Sequence, residues 1–403
     1  MASITEAPIV GAVTSDSAIV NCRVSAAASV QVEYATNKNF TGSTTTSSVS
    51  AVSADDFTVS IGLSGLSAST MHWYRIIVDG VVQSTANVHK FSTFPSGSTT
   101  FKFAVFADVA PQDKSAACYQ SARDDGALFA LQIGDFDHRN PVTLSDMRQM
   151  HRDMKDPSLS HGSDFIQYVA SKMCVAHVFD DHDFGGDDSD KTFAGKADAI
   201  KAFREHWPTH NTPNSAGIWH SFTCGDAEFF MLDTRTQRDP DTDPDNASKS
   251  MLDGDNIAND QKDWLKDGLL NSTATWKFIV STVTGNSTAR PASDDPWHSF
   301  STERNEIRDF IANNNIDNVI VLSGDIHTGG GIDDGTNSGF DLPEMTVPHT
   351  NLAKGNNNQL GTWSEGVTAG KNGEGYGLVT VSASSVILEA KADTGSTRHS
   401  LTL

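Results

Sequence analysis

Hydrophobic positions divide the chain into two regimes. Through residue 95, apolar and polar residues alternate in short runs at 19–24, 30–34, 57–61 and 73–78. A period of two turns one face of a strand toward a core and the other toward water. Asp79-Gly80, between Val78 and Val81, is the kind of pair a two-residue hairpin turn demands, because both central residues take positive φ. Ser, Thr, Gly and Ala fill the gaps, and no helical period interrupts the runs. The pattern predicts a small all-β sandwich of fibronectin III-like type.

From Phe101 onward the apolar runs become nearly continuous, at 101–107, 127–133, 174–179, 227–232, 276–280 and 319–322. Such runs suit strands buried on both faces. Between them lies helical spacing: Phe193, Ala197, Ile200, Phe203 and Trp207 follow steps of three and four, as do Ile307, Phe310 and Ile311. Strands alternating with helices predict an α/β domain with partly parallel strands. Residues 377–382 and 386–390 read as closing strands, and the Asp-, Asn- and Pro-rich residues 239–260 as a long surface loop. With Pro95–Thr100 as linker, the expected domains are 1–97, the β-sandwich, and 98–403, the catalytic unit.

Charge narrows the function. The 29 basic and 51 acidic residues leave a net charge of −22, a field that repels polyanions and argues against a broad nucleic-acid-binding role. Most of these carboxylates serve solubility; a few can gather as hard oxygen ligands for metals. Cys22, Cys118, Cys174 and Cys224 are widely spaced and form no C-x-x-C pair, so neither a zinc knuckle nor a redox motif is visible, and their pairing is open. No run reaches transmembrane length.

The candidate chemistry lies where the buried strands end. Residues 101–107 run into Asp108. Residues 127–133 run into Gly134-Asp135-Phe136-Asp137-His138. Residues 174–179 run into Asp180-Asp181-His182-Asp183, and 319–323 into Gly324-Asp325-Ile326-His327. Ligands of open α/β sheets bind outside the carboxyl ends of the strands. Acidic tips gathered at one rim repel one another unless cations sit among them. Carboxylates interleaved with imidazoles suit first-row divalent metals or Fe(III) better than Ca²⁺ alone. Asp135 can bridge a metal pair, as in two-metal hydrolases, where the ions bind phosphoryl oxygens and activate a water. No G-x-S-x-G nucleophile elbow is present.

At these residues the sequence resembles the PhoD-like alkaline phosphatases and phosphodiesterases of the metallophosphoesterase superfamily. That family's G-D-x-x-Y, W-D-D-H-[DE] with a following Asn, and S-G-D-[VI]-H elements correspond here to 134–138, to 179–183 with Asp187 at the Asn position, and to 323–327. Its L-D-T-R-x-x-R and D-x-W…E-R stretches correspond to Leu232-Asp233-Thr234-Arg235 through Arg238, and to Asp295-Pro296-Trp297 with Glu303-Arg304. The resemblance implies a metallophosphatase-type sandwich of two β-sheets flanked by helices, hydrolysis of phosphate mono- or diesters by a metal-activated hydroxide, and a secreted or periplasmic location. It implies metal ligation by Asp135, Asp187, Asp325 and His327.

The sequence also departs from the family. Asp108 stands where the family's first element carries a Cys, and His138 replaces its Tyr. The resulting set, Asp108, Asp135, His138, Asp187, Asp325 and His327, suits two or more ions of Mn, Zn or Fe, with Ca a further candidate. His182 is expected to protonate the leaving oxygen or to orient a ligand, and Arg235 to grip phosphate or to form a structural ion pair. The expected partner is a small-molecule, lipid or nucleotide phosphate ester, with no stable nucleic-acid complex. The alternatives are a phospholipase-D-like or sulfate ester hydrolase on the same fold, and a non-catalytic extracellular metal- or carbohydrate-binding protein.

Overall fold

The computed structural model describes residues 1–85, 87–110, 114–258, 260–352, 360–370 and 373–403. The alternating N-terminal runs form β1 (Ile9–Gly11), β2 (Ser17–Arg23), β3 (Ala28–Ala35), β4 (Thr44–Thr45), β5 (Val49–Ala51), β6 (Thr58–Ser64), β7 (Met71–Val78), β8 (Val81–Val82) and β9 (His89–Ser92). One sheet has the order β1-β2-β6; the other runs β4-β3-β7-β8, with β5 on β3 and β9 on β7. In β7 the alternation is complete, with His72, Tyr74, Ile76 and Val78 buried and the residues between them partly exposed. The hairpin from β7 to β8 turns on Asp79 and Gly80, with φ of 49° and 79°, so only small or turn-forming residues fit there.

The second region holds two larger sheets. Strands β10 (Phe101–Phe106), β11 (Phe129–Ile133) and β12 (Cys174–Val178) pair in parallel. They continue antiparallel through β20 (Gly375–Val381), β21 (Val386–Ala392) and β22 (Thr397–Thr402), in the order β12-β11-β10-β20-β21-β22. The other sheet has the order β13-β14-β15-β16-β18-β17-β19. It contains β13 (His220–Cys224), β14 (Ala227–Met231), β15 (Trp276–Val280), β16 (Val319–Ser323), β17 (Gly331–Asp333), β18 (Glu344–Thr346) and β19 (Gly366–Val367). The sheets meet through aromatic side chains. Phe103 of β10 stacks on Phe129 of β11 at 5.1 Å and meets Phe229 and Phe278 of the other sheet edge-on at 5.1 and 5.5 Å. Such offset and T-shaped pairs add to the burial of their area.

Helices α1 (Ala117–Asp124), α2 (Leu144–Asp153), α3 (Ser160–Asp164), α4 (Asp181–Phe184), α5 (Lys196–His206), α6 (Gln261–Asn271) and α7 (Ser301–Asn313) connect these strands. Thr143 and Asp146 close a capping box at the start of α2, and Asp180 and Asp183 do so at α4, each satisfying helix-end N–H groups that would otherwise be orphaned.

The β-sandwich shares one continuous hydrophobic core with the α/β region, running from Ile9 and Val10 through Val175 and Trp207. At the seam the Asn21 side-chain amide donates to the Glu205 carbonyl at 2.8 Å, Lys155 approaches Glu6 at 3.5 Å, and Asp56 accepts from Arg152 at 2.6 Å. A Cβ on Gly11 would collide with the backbone carbonyls of Pro208 and Val175, so that glycine sets how closely the two parts approach.

One sequence expectation needs correction, and one strand carried no signal. The described residues of 239–260 do form a loop, but it is not all surface: Met251 and Leu252 are fully buried. Glu303 of α7 holds their backbone N–H groups, at 2.6 and 3.3 Å. The acidic composition hid two apolar anchors. The C-terminal region also has a third strand, β22, whose Thr, Arg, His and Ser residues carry no hydrophobic alternation. All four cysteines are free and buried.

Candidate metal centre

The strand tips converge as their positions in the sequence suggest, and glycine makes the convergence possible. A Cβ on Gly134 would lie 2.6 Å from the Asp180 Cβ, and one on Gly324 would lie 2.9 Å from the Ala107 Cβ. The β11 tip thereby closes on the β12 tip, and the β16 tip reaches across to β10. Asp108, Asp135, Asp325 and His327 all adopt the left-handed region, with φ of 53°, 50°, 59° and 48°. For residues other than glycine this conformation costs about 1–3 kcal/mol each and persists only where surrounding structure imposes it. Here the Val109 N–H donates to the Asp135 carbonyl at 2.8 Å, and the Gly324 N–H to the Thr282 carbonyl at 3.0 Å.

Side chains from these tips meet in one cluster. His138 Nε2 lies 3.0 Å from Asp135 Oδ2. His327 Nε2 lies 3.8 Å from Asp108, 4.0 Å from Asp135 and 3.6 Å from Asp325. Asp108, Asp135, Asp325 and His327 can each offer one atom to a common ion, and so can Asp135, His138 and His327. The Nδ1–H of His138 donates to the Val109 carbonyl at 2.8 Å, which orients the ring and leaves Nε2 to face the cluster.

The cluster's polar atoms are orphaned. Asp108 Oδ2, Asp135 Oδ1 and His327 Nε2 are buried without a hydrogen-bond partner, and Asp135 Oδ2 and His138 Nε2 have only each other, at 3.0 Å. Buried polar atoms in native proteins are almost always satisfied, and unpaired buried carboxylates are costly. A donor set of carboxylate oxygens and imidazole nitrogens, all facing one space, fits divalent metal ions. In the metal-free protein a proton does part of that work. Burial pushes the His138 imidazole down, but the Asp135 carboxylate outweighs it and lifts His138 to about 9. Burial likewise pushes Asp135 up, yet His138 and His327 hold it well below the usual carboxylate range.

A second, more open group adjoins the first. Asp181, His182 and Asp135 can share an ion, as can Asp181, Asp187 and Asp188, and Asp188, Asp241 and Asp295. Asp187 therefore joins this outer group and not the cluster around His327. Its side chain is 78% exposed, with Oδ1 3.4 Å from His182 Nε2. The His182 ring lies 4.5 Å from that of His138, and its Nδ1 pairs with the Asn140 amide oxygen.

Arg235 lies beneath this group and is fully buried. Its Nε donates to Asp180, and its two terminal nitrogens grip Asp295 at 2.7 and 3.2 Å. Arg238 adds a contact to Asp295 at 3.1 Å. Burial alone would push Asp295 up, but Arg235, Arg238 and Arg290 hold its carboxyl well below the usual range. Of the two roles read for Arg235 from sequence, the ion pair is the one its contacts display.

Sequence reasoning missed Asp181, Asp188, Asp241, Asp295 and Arg290 as members of the site. Asp181 and Asp295 were visible inside the quoted motifs, and Asp188 directly follows Asp187. Arg290, at φ 48°, carried no signal. It meets the Asp325 carboxylate and donates to the Asp325 carbonyl at 3.0 Å, from 35 residues away in the chain.

Comparison with known proteins agrees with this geometry. Residues 118–333 match the family model of the PhoD-like phosphatases, and residues 3–95 match that of the PhoD-like phosphatase N-terminal domain. The chain belongs to the PhoD-like phosphatase family. Asp108 lies upstream of the matched catalytic segment, where the first motif departs from the family pattern. Alkaline phosphatase D of Bacillus subtilis (strain 168) is 27% identical over 213 residues, a match that spans 46% of this chain and 35% of that relative. A solved structure of PhoD superposes with a TM-score of 0.79 at 19% identity, covering 99% of this chain and 90% of that one. Purple acid phosphatase PPD1 from seeds of yellow lupin (Lupinus luteus) superposes with a TM-score of 0.66 at 13% identity, covering 98% and 73%. The shared fold is thus that of PhoD-like and purple acid phosphatases, with two facing sheets behind the acidic strand tips.

Proposed function

We propose that this protein hydrolyses phosphate esters with the help of metal ions held by Asp108, Asp135, His138, Asp325 and His327. The observation that carries this reading is the set of buried ligand atoms on Asp108, Asp135, His138 and His327 that face one space with no partner outside the cluster. Asp181, Asp187 and Asp188 would hold a further ion at the outer rim. When bound, divalent ions at such a site polarise phosphoryl oxygens and lower the pKa of water. Manganese, zinc or ferrous iron suits the inner mixed donor set, and calcium suits the all-carboxylate outer group.

The chain's own residues do the rest. His138 and His327 would bind an ion as neutral ligands, so the inner site would not be overloaded with negative charge. Asp135 faces both groups and is the bridging candidate. His182 stands between the buried cluster and the exposed Asp187, within reach of a leaving oxygen, and the Asn140 carbonyl fixes its ring. Arg290, 17% exposed beside Asp325, is the cation best placed to meet a substrate anion. Arg235 and Arg238 offset the charge of Asp180 and Asp295 from below.

The test is a panel of chromogenic phosphate monoester, phosphate diester and sulfate ester, each assayed with and without chelator. The expected result is hydrolysis of at least one phosphate ester, abolished by chelator and restored by added metal. Turnover of sulfate alone would move the substrate to another ester, and turnover insensitive to chelator would remove the metals from the chemistry.

A further inference from the structure

At the other end of the strands from the metal centre lies a groove of unusual charge. Two adjoining cavities of 460 and 510 Å³ share Lys90, Arg123 and Lys172. The first also contains Lys102, at the start of β10, and Met173, just before β12; the second contains Lys38 and Trp73 of the β-sandwich. The groove therefore follows the seam between the two regions. Strands of five or six residues separate it from the metal centre, a distance of roughly 17–20 Å at about 3.3 Å per residue.

The groove gathers cations that the rest of the fold leaves uncompensated. Among the described residues no carboxylate lines either cavity. Lys38, Lys90, Lys102 and Lys172 form no ion pair among the described residues, and neither do Lys249 and Lys277 elsewhere, whereas Lys155, Lys191, Lys196, Lys201, Lys262 and Lys266 all do. The Lys172 ammonium donates to the Val88 carbonyl and the Lys102 ammonium to the Asp125 carbonyl. Arg123 alone touches an acid, its sequence neighbour Asp124. Burial, together with the like charges of Lys90 and Arg123, pushes the Lys172 ammonium down. In a chain of net charge −22, carboxylates to relieve this repulsion are plentiful, yet the fold places none in the groove.

Trp73 lies half-buried among these cations, across from Lys90 in the β7–β9 pairing. Its flat ring suits a sugar, while cations a few residues apart suit charges repeated along a chain. Proteins that hold single-stranded nucleic acid use a series of aromatic platforms, one for each successive base; this groove offers one. We infer that the groove anchors an anionic glycan, a chain of sugars bearing phosphate, sulfate or carboxylate groups, away from the metal centre. The inference does not rest on the phosphoesterase reading, because binding is measured without turnover.

The test uses the full chain and a heparin-derived octasaccharide. A neutral dextran oligosaccharide and a single-stranded oligonucleotide of equal charge serve as comparison ligands, with affinities taken by calorimetry at 50 and 200 mM salt. Heparin octasaccharide should bind, weaken with salt, and bind more tightly than the oligonucleotide; dextran should not bind. The Lys90→Gln/Lys172→Gln variant should lose at least about tenfold in affinity and lower the log–log salt slope by about one to two, as expected for two lost charge contacts. Its melting temperature and its turnover of a small ester should stay unchanged. Lys201→Gln/Lys266→Gln removes the same charge elsewhere and should leave binding intact. No heparin binding at 50 mM salt, or equal loss in both double variants, overturns the groove. Tighter binding of the oligonucleotide overturns the glycan assignment in favour of nucleic acid.

Discussion

Replacing Asp135 by Asn is expected to lower metal-dependent turnover roughly a thousandfold or more, a loss of about 4 kcal/mol of transition-state stabilisation, while leaving the protein folded. The side chain keeps its size, but the 3.0 Å pair between the Asp135 carboxylate and His138 Nε2 loses its charge. In the metal-free state the change removes a buried charge but also the carboxylate that holds His138 charged, so the two effects oppose each other and the apo variant should melt close to the wild-type temperature. What should disappear is the rise in melting temperature on adding metal, because a ligand that binds only the folded state stabilises in proportion to its affinity. Thermal melts with and without manganese, beside the ester assay, check both parts. Normal turnover in this variant would remove Asp135 from the centre of the scheme.

The largest effect on stability is expected at Arg235. Its guanidinium is fully buried and neutralises Asp180 and Asp295 together. Arg235→Met would strand both carboxylates without their cation. Breaking a buried pair from one side typically costs about 3–5 kcal/mol, a large share of the roughly 5–15 kcal/mol that holds a domain folded. Denaturant unfolding measures this. Adding Asp295→Asn to Arg235→Met should recover part of the loss, because the second change removes one of the stranded charges. If Arg235→Met instead left stability intact and only raised KM, the arginine would be gripping substrate phosphate and not holding up the floor of the site.

Much of this architecture was legible in the residues because strong physical constraints leave marks in the sequence. Continuous apolar runs such as 127–133 and 319–323 had to be buried on both faces, and each ended on Gly-Asp. The glycine of each pair is needed where two strand tips approach too closely for a Cβ, so the motif records a packing constraint as well as a ligand. The members that escaped notice were those whose role depends on distant chain segments. Arg290 reaches Asp325 and Asp241 joins Asp188 and Asp295 only through tertiary folding. Asp187 was placed with the buried ligands by its motif position, yet backbone geometry after α4 leaves it exposed at the rim. Short strands such as Glu344–Thr346 offered too few residues for any period to show, and Met251 and Leu252 were masked by the carboxylates around them.

The replacements at Asp108 and His138 also make physical sense together. A thiolate and a phenolate are the ligands that most favour ferric iron; a carboxylate and an imidazole keep two donors in place while shifting preference toward divalent ions. Both substituted side chains point their free atoms into the same cluster. On the proposed function, this is a working site with altered metal preference, since a decaying one would have no reason to keep competent donors at both positions.

The most direct measurement is a crystal structure of the protein grown with manganese, with anomalous difference maps recorded at the manganese edge. The account predicts peaks at the inner cluster, with an Asp135 oxygen within bonding distance and a second peak about 3.5–4 Å away, the spacing of two-metal hydrolases. Clear density for the Asp108, Asp135 and His327 side chains with no anomalous peak among them would contradict it.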